Sequence, residues 1–362
     1  MERSHRNTGI DILRIISMFF IVSLHIIGRG GILDTVPVGS TNFYVSNFLF
    51  VAGNLGVNCF ALISGFVGIN RTMSKRKRVN FWLQVVFYSF FITLLGKTIL
   101  HKPIGWGQVI FSLFPITRQS YWYATAYFVL CFFIPYLNNA IDTIEEDEAK
   151  ELTILLIAIG SCVPTFVFSS DILKSGGLSA LWLGLLYIVG ALIRKYDILS
   201  KYSTKRLVCI LLLCITFSWG YRVGVIVFEN TILVRLIMMF SFHIDSFNSN
   251  LSITMVLCAI CLLVIFSRIR VKVGIESWVT RICPGIFGVY LIHDHPVVRN
   301  YIFNSAFAPI SEMYPLCLIL SVLASAAGIL VGGGDNGCFS TISIPHFKHG
   351  WFSKKNDQIM IC

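Results

Sequence analysis

The 362-residue chain is 56% hydrophobic and only 13% charged, with a mean hydropathy of +0.76 and a formal net charge of +11. A soluble globular domain carries about twice that charged fraction, so a water-soluble fold is excluded. The excess cations form no single stripe interleaved with aromatic residues, which argues against a nucleic-acid partner.

Apolar blocks separated by short charged or Gly/Pro-containing breaks predict an all-α, polytopic helical membrane protein with about ten transmembrane helices. The expected spans are 10–28, 47–69, 79–100, 121–141, 152–170, 178–193, 207–228, 250–267, 283–303 and 314–331, with the segment 229–249 ambiguous. Arg3 and Arg6 precede the first span as in a secretory signal, but that run is long, contains Asp11 and Arg14, and lacks a small-x-small cleavage site.

The first span is the most informative. Asp11, Arg14 and His25 interrupt an otherwise apolar run. At about 100° per residue, Arg14 and His25 fall on one stripe about 16 Å apart, with Asp11 one turn before Arg14 on the same side. An ionisable group near the bilayer centre costs at least ~2.5–3.5 kcal/mol, so three along one stripe should line a polar cavity or path. Asp11 is expected to pair with Arg14 so that neither charge is buried alone.

Just inside the second span, Arg71, Lys75, Arg76, Lys77 and Arg78 make a compact cationic loop, able to bind phosphate or simply to anchor topology. Ser120-Tyr121-Trp122-Tyr123 opens the fourth span, where an aromatic belt is expected. Six carboxylates between Asp142 and Glu151 read as a solvated face opening the fifth helix rather than a metal site. The ninth span is expected to end in His293-Asp294-His295-Pro296, with Arg299 after it, and Pro296 to stop the helix at an outer vestibule. His293-x-His295 lacks further ligands at zinc spacing, so a hydrogen-bonding or proton-handling cluster is favoured and no metal is expected. The eleven cysteines, including Cys258-x-x-Cys261, read mainly as apolar filler.

An N-terminus in the cytoplasm puts twenty Lys and Arg residues inside and eight outside, so the positive-inside rule selects that orientation. His25 then lies roughly 22 Å into a ~30 Å hydrocarbon layer, towards the outer face. The expected location is the plasma membrane, multi-pass.

Arg6-x-x-Gly9-Ile-Asp-Ile-Leu-Arg14, followed after ten residues by His25, resembles the opening of the acyltransferase-3 family of integral membrane acyltransferases. Ser64-Gly-Phe66, the basic loop to Arg78, Tyr121-Trp-Tyr123 with Pro135-Tyr-Leu-Asn138, and Gly288-Val-Tyr-Leu-Ile-His293 resemble family segments in the same order, over roughly residues 6 to 320. The resemblance implies a ten-span enzyme that moves an acyl group, most simply acetyl, from cytoplasmic acyl-CoA to a hydroxyl of a cell-surface or exopolysaccharide glycan or lipid-linked saccharide. Arg14 and His25 would be its functional pair. An imidazole at His25 suits either a general base or a transient acyl carrier.

Arg71, Lys75, Arg76 and Arg78 are the candidate acetyl-CoA contacts, although Lys75-x-x-Arg78 stands where the family has Arg-x-x-Arg. Tyr121, Trp122, Tyr123, His293, Asp294, His295 and Arg299 are the candidate acceptor contacts. The membrane domain is expected over 6–331. Residues 332–362, opening Gly332-Gly-Gly-Asp-Asn-Gly337, are expected to be an atypical cytoplasmic tail from a divergent terminus or a frame disruption. With no soluble esterase-like domain expected, transfer is completed in the membrane unit or handed to a separate protein. The rival reading is a transporter, flippase or polymerase of lipid-linked glycans. It predicts paired Gly/Pro-broken helices in two related halves, which the sequence does not show.

Overall fold

The computed structural model describes residues 6–166, 177–239 and 242–334, so the tail from 335 onward and the end of the fifth expected span lie outside the described residues. The fold is all-α, with no strand among those residues. Its principal helices are α1 (Thr8–Ile27), α2 (Thr41–Gly53), α3 (Leu55–Gly68), α4 (Lys75–Thr98), α5 (Trp122–Thr143), α6 (Glu146–Phe166) and α7 (Ala180–Tyr196). They continue with α8 (Thr204–Val227), α9 (Ile253–Ser267), α10 (273–293) and α11 (Pro315–Gly334).

Among the described residues, seven helical segments are long and apolar enough to cross a membrane. The sixth, eighth and ninth expected spans are the exceptions: α7 has 17 residues, α9 has 15, and the ninth is displaced. The expectation of a span over 283–303 is corrected. Helix α10 begins ten residues earlier with an amphipathic turn that exposes Val273, Ile275 and Trp278, continues through Cys283–Gly285 as a 3-10 turn, and ends at His293. Hydropathy underweights 273–282 because Glu276 and Arg281 dilute it. Beyond His293 the chain breaks: Pro296 has no amide to continue the ladder, and the His295 side chain accepts from the Val297 amide to cap a separate short turn. The second expected span is likewise two helices, divided at Asn54.

The bundle is organised around α1 and α3. Asn7 caps α1 by accepting from the Ile10 amide, and Asp11 in the first turn complements the helix dipole. Helix α1 packs against α2, α3, α9, α10 and α11, so its charged stripe is enclosed by protein. Helices α3 and α7 cross at backbone contact: a Cβ on Gly65 would lie 1.8 Å from the Tyr187 carbonyl, and one on Gly190 would lie 2.1 Å from that of Leu62. Small residues at such a crossing let helices associate where lipid supplies no hydrophobic drive.

Asn58, on α3, donates to the Asn250 carbonyl at 2.8 Å and accepts from Trp182 Nε1 at 3.1 Å, which ties the same helix to α7 and to the entry of α9. By contrast, α4, α5, α6, α8 and α11 present an apolar exterior, including Phe91, Leu95, Phe133, Ile154, Leu213 and Leu316. A surface this apolar is suited to lipid rather than water. The protein is therefore a multi-pass membrane protein whose polar groups collect around α1.

Candidate active site

At the N-terminal end of α1, Asp11 accepts from Arg14 Nη1 at 2.7 Å and from Arg6 Nε, and the Cys283 thiol approaches its Oδ1 at 3.5 Å. The Asp11 and Arg14 side chains are only 3% and 4% exposed, so this is a buried pair. One carboxylate facing two guanidinium groups leaves a local surplus of one positive charge. Arg71 and Arg194 enlarge that surplus, because with Arg6, Asp11, Arg14 and Asn70 they line one cavity. Partial burial, and then the like charge of Arg14, push the Arg71 pKa down, while Asp11 opposes the shift.

Eleven residues further along α1, His25 faces a second cavity, walled by Phe60 of α3, Trp122 and Tyr123 of α5, and Phe287 and Tyr290 of α10, with Asp294 at its margin. Arg14 lines this cavity too. The stripe thus joins an arginine-lined compartment to an aromatic one through a single shared side chain.

The His25 ring lies 5.1 Å from that of His293, centroid to centroid. His293 Nδ1 is 2.8 Å from the Val289 carbonyl. A carbonyl only accepts, so Nδ1 carries the proton and Nε2 is left as a bare acceptor. Buried His293 Nε2 and buried His25 Nδ1 both lack a hydrogen-bond partner. Two ring nitrogens left open side by side are the feature that packing does not explain. Chemically, a neutral imidazole in such a place accepts a proton or attacks an acyl carbon.

The sequence-derived residues separate into groups. Trp122, Tyr123 and Asp294 line the His25 cavity, and the His293 ring lies tilted against that of His25. Tyr121 is buried, donates to the Leu291 carbonyl at 3.0 Å, and packs on Tyr290 and His295. His295 accepts from the Val297 amide through Nδ1, so its Nε2 donates to the Ser89 carbonyl at 3.1 Å; both nitrogens are engaged in holding the chain. Arg299 and His295 border a third, larger cavity.

Of the basic loop, Arg71 reaches the arginine cavity, Lys75 and Arg76 are exposed, and Arg78 turns onto the Phe132 ring and the Met73 carbonyl. Sequence reasoning missed Arg6, Asn70 and Arg194 as site residues, and Lys77, which lines an adjoining cavity with Arg71 and Tyr187. It also missed Arg29, which donates to Asp294 at 2.5 Å. Arg6 and Arg29 flank α1 and were within reach of its helical register; Arg194 arrives from α7 by tertiary packing alone. Among the described residues, no group of three or more His, Cys, Asp or Glu side chains is arranged to hold a metal.

A family model described as an acyltransferase domain matches residues 7–332, nearly all of the described chain. No curated protein and no solved structure gives a significant match. The chain belongs to the acyltransferase-3 family and is a membrane acyltransferase.

Proposed function

We propose that this membrane acyltransferase moves an acetyl group from cytoplasmic acetyl-CoA to a hydroxyl of a cell-surface or exopolysaccharide glycan, in the plasma membrane and with its N-terminus in the cytoplasm. The observation that supports this reading is the continuity along α1: Arg14 borders both the arginine-lined cavity and the His25 cavity. A donor with a polyphosphate head and a long flexible arm ending in a thioester suits that layout. Its phosphates are held by Arg71, Arg194 and Arg6, and its arm passes Arg14 to bring the thioester to His25.

In the reaction the acceptor oxygen attacks the thioester carbonyl carbon and the carbon–sulfur bond breaks. His25 takes the hydroxyl proton as general base and returns it to the departing thiolate, so that an ester and free CoA result. His293, fixed by Val289, keeps a neutral imidazole against His25. Arg14, held by Asp11, is a positioning residue for the donor. Lys75, Arg76 and Arg78 contribute general positive charge at the donor entrance.

The test uses full-length protein in liposomes with acetyl-CoA labelled in the acetyl group and surface glycan from cells lacking the protein. Label should appear in alkali-labile ester on the glycan with wild type and not with His25→Ala. Label retained on His25 in the absence of glycan would replace the general-base role by that of acyl carrier. Glycan moved across the bilayer without consumption of acetyl-CoA would replace the enzyme by a transporter.

A further inference from the structure

The space beside His25 measures only about 60 Å³, whereas the cavity lined by Arg299, which reaches Asp294 of the smaller space at 3.8 Å, measures about 350 Å³. Ligand sites commonly occupy roughly 300–1,000 Å³, so the larger space suits the body of a saccharide and the smaller only its reacting hydroxyl. Residue chemistry separates them as well. The His25 cavity is mostly aromatic and aliphatic; the larger one presents the side-chain amides of Gln108, Gln119 and Asn300, hydroxyls from Ser89 and Ser120, and the Tyr301 ring. Amides, hydroxyls and an aromatic face are the groups that pair with sugar hydroxyls and stack on sugar rings.

Two guanidinium groups also line this cavity, and no Asp or Glu does. Arg118 rests on the Phe111 ring, 4.6 Å from its centroid, and has no ion-pair partner among the described residues. Arg299 is ion-paired with Asp294 at 3.8 Å but shares that single carboxylate with Arg29, which holds it at 2.5 Å. At the rim, Lys102 adds a further cation over Tyr301. With Arg29 and Arg299 sharing one carboxylate and Arg118 on an aromatic ring, the cavity carries a surplus of positive charge.

We propose that this cavity is the acceptor site and that it selects saccharides bearing an anionic group, held by Arg118 and Arg299, with the hydroxyl delivered past Asp294 to His25. The inference rests on the acyl-transfer reading above. The anion is either a carboxylate of the sugar itself or a phosphate on it or on its carrier, and the experiment separates these.

Full-length protein in liposomes is given labelled acetyl-CoA and surface glycan from cells lacking the protein, in untreated, carboxyl-reduced and phosphatase-treated forms. One of the two treatments should raise the wild-type KM for glycan roughly tenfold, the effect expected of a lost charge-assisted hydrogen bond. Arg118→Gln and Arg299→Gln should each raise KM for untreated glycan by a similar factor. In the double variant the effective treatment should add nothing further, while CoA binding is retained as a check on folding. Equal KM for all three forms with wild type overturns the proposal, as does an equal loss for charged and uncharged forms in the variants. If no form is acetylated, the acyl-transfer reading fails, and direct glycan binding to the same liposomes decides this inference. Charge-dependent binding lost in the double variant upholds the cavity; charge-independent binding overturns it.

Discussion

At the N-terminal end of α1 the Asp11 carboxylate is held between Arg6 and Arg14, with one buried Arg6 nitrogen left over, while at the C-terminal end the neutral rings of His25 and His293 leave nitrogens without partners. Helix α3 borders both ends, joined by α7 at the first and by α5 and α10 at the second, and both ends break the apolar pattern of the chain. They differ in what the protein does with polarity. A buried carboxylate with two guanidinium partners is a fixed structure that presents surplus positive charge to whatever enters beside it. Buried imidazole nitrogens with nothing to bond carry an energetic cost that folding alone does not require, and such costs concentrate where chemistry is done. On the proposed function, one end holds the charged donor and the other handles a proton.

The sharpest way to break that division is His25→Ala. Loss of a positioned proton acceptor typically costs 10²–10⁴ in rate, so acetyl transfer should fall by at least about 100-fold while thermal unfolding in detergent hardly moves. Retention of a tenth of the wild-type rate would remove His25 from the chemistry.

Arg14→Ala should act differently, lowering both activity and stability. It strips one of two guanidinium partners from a buried carboxylate; because Arg6 stays, the loss should fall below the roughly 3–5 kcal/mol of leaving a buried charge with no partner. Asp11→Asn combined with Arg14→Gln should recover part of that stability without recovering transfer. If the double variant regains activity along with stability, Arg14 is only a structural partner of Asp11.

Much of this was legible in the sequence, for identifiable reasons. Hydropathy marks helices that must satisfy their own backbone in lipid, so seven spans emerge from apolar runs alone. The Arg14 and His25 stripe follows from helical periodicity, which does not depend on tertiary contacts. What escaped is what neighbours impose. Asn54 divides α2 from α3 with its side chain bonded to the Asn248 carbonyl, almost two hundred residues away. Helix α10 starts early because its first turns are amphipathic, below any threshold for a spanning segment. Arg194 enters the arginine-lined cavity only because Gly190 and Gly65 let α7 cross α3 at backbone contact.

His293→Gln sharpens the comparison from the imidazole side. The amide can keep the bond to the Val289 carbonyl but not the ring that lies against His25. Turnover should drop less than in His25→Ala, with KM for acetyl-CoA unchanged. A shift in that KM instead would draw His293 into donor binding.

The smallest effects belong to the basic loop, where proximity in sequence and proximity in space disagree. Arg71, Lys75 and Arg76 look equivalent in the chain, yet only Arg71 lines the cavity with Arg6, Arg14 and Arg194. A guanidinium that bonds phosphate directly is worth about 1.5–3 kcal/mol, so Arg71→Ala should raise KM for acetyl-CoA roughly tenfold or more with little change in kcat. All three side chains reach solvent, but Lys75 and Arg76 do not line that cavity and can act only through screened, longer-range attraction, so their alanine variants should stay within about threefold. Raising the salt concentration separates the two contributions further: it should erase the small Lys75 and Arg76 effects while leaving most of the Arg71 effect in place. Equal KM changes for all three would mean that the loop works as a diffuse field, and that the cavity between α1, α3 and α7 is not where the donor's phosphates bind.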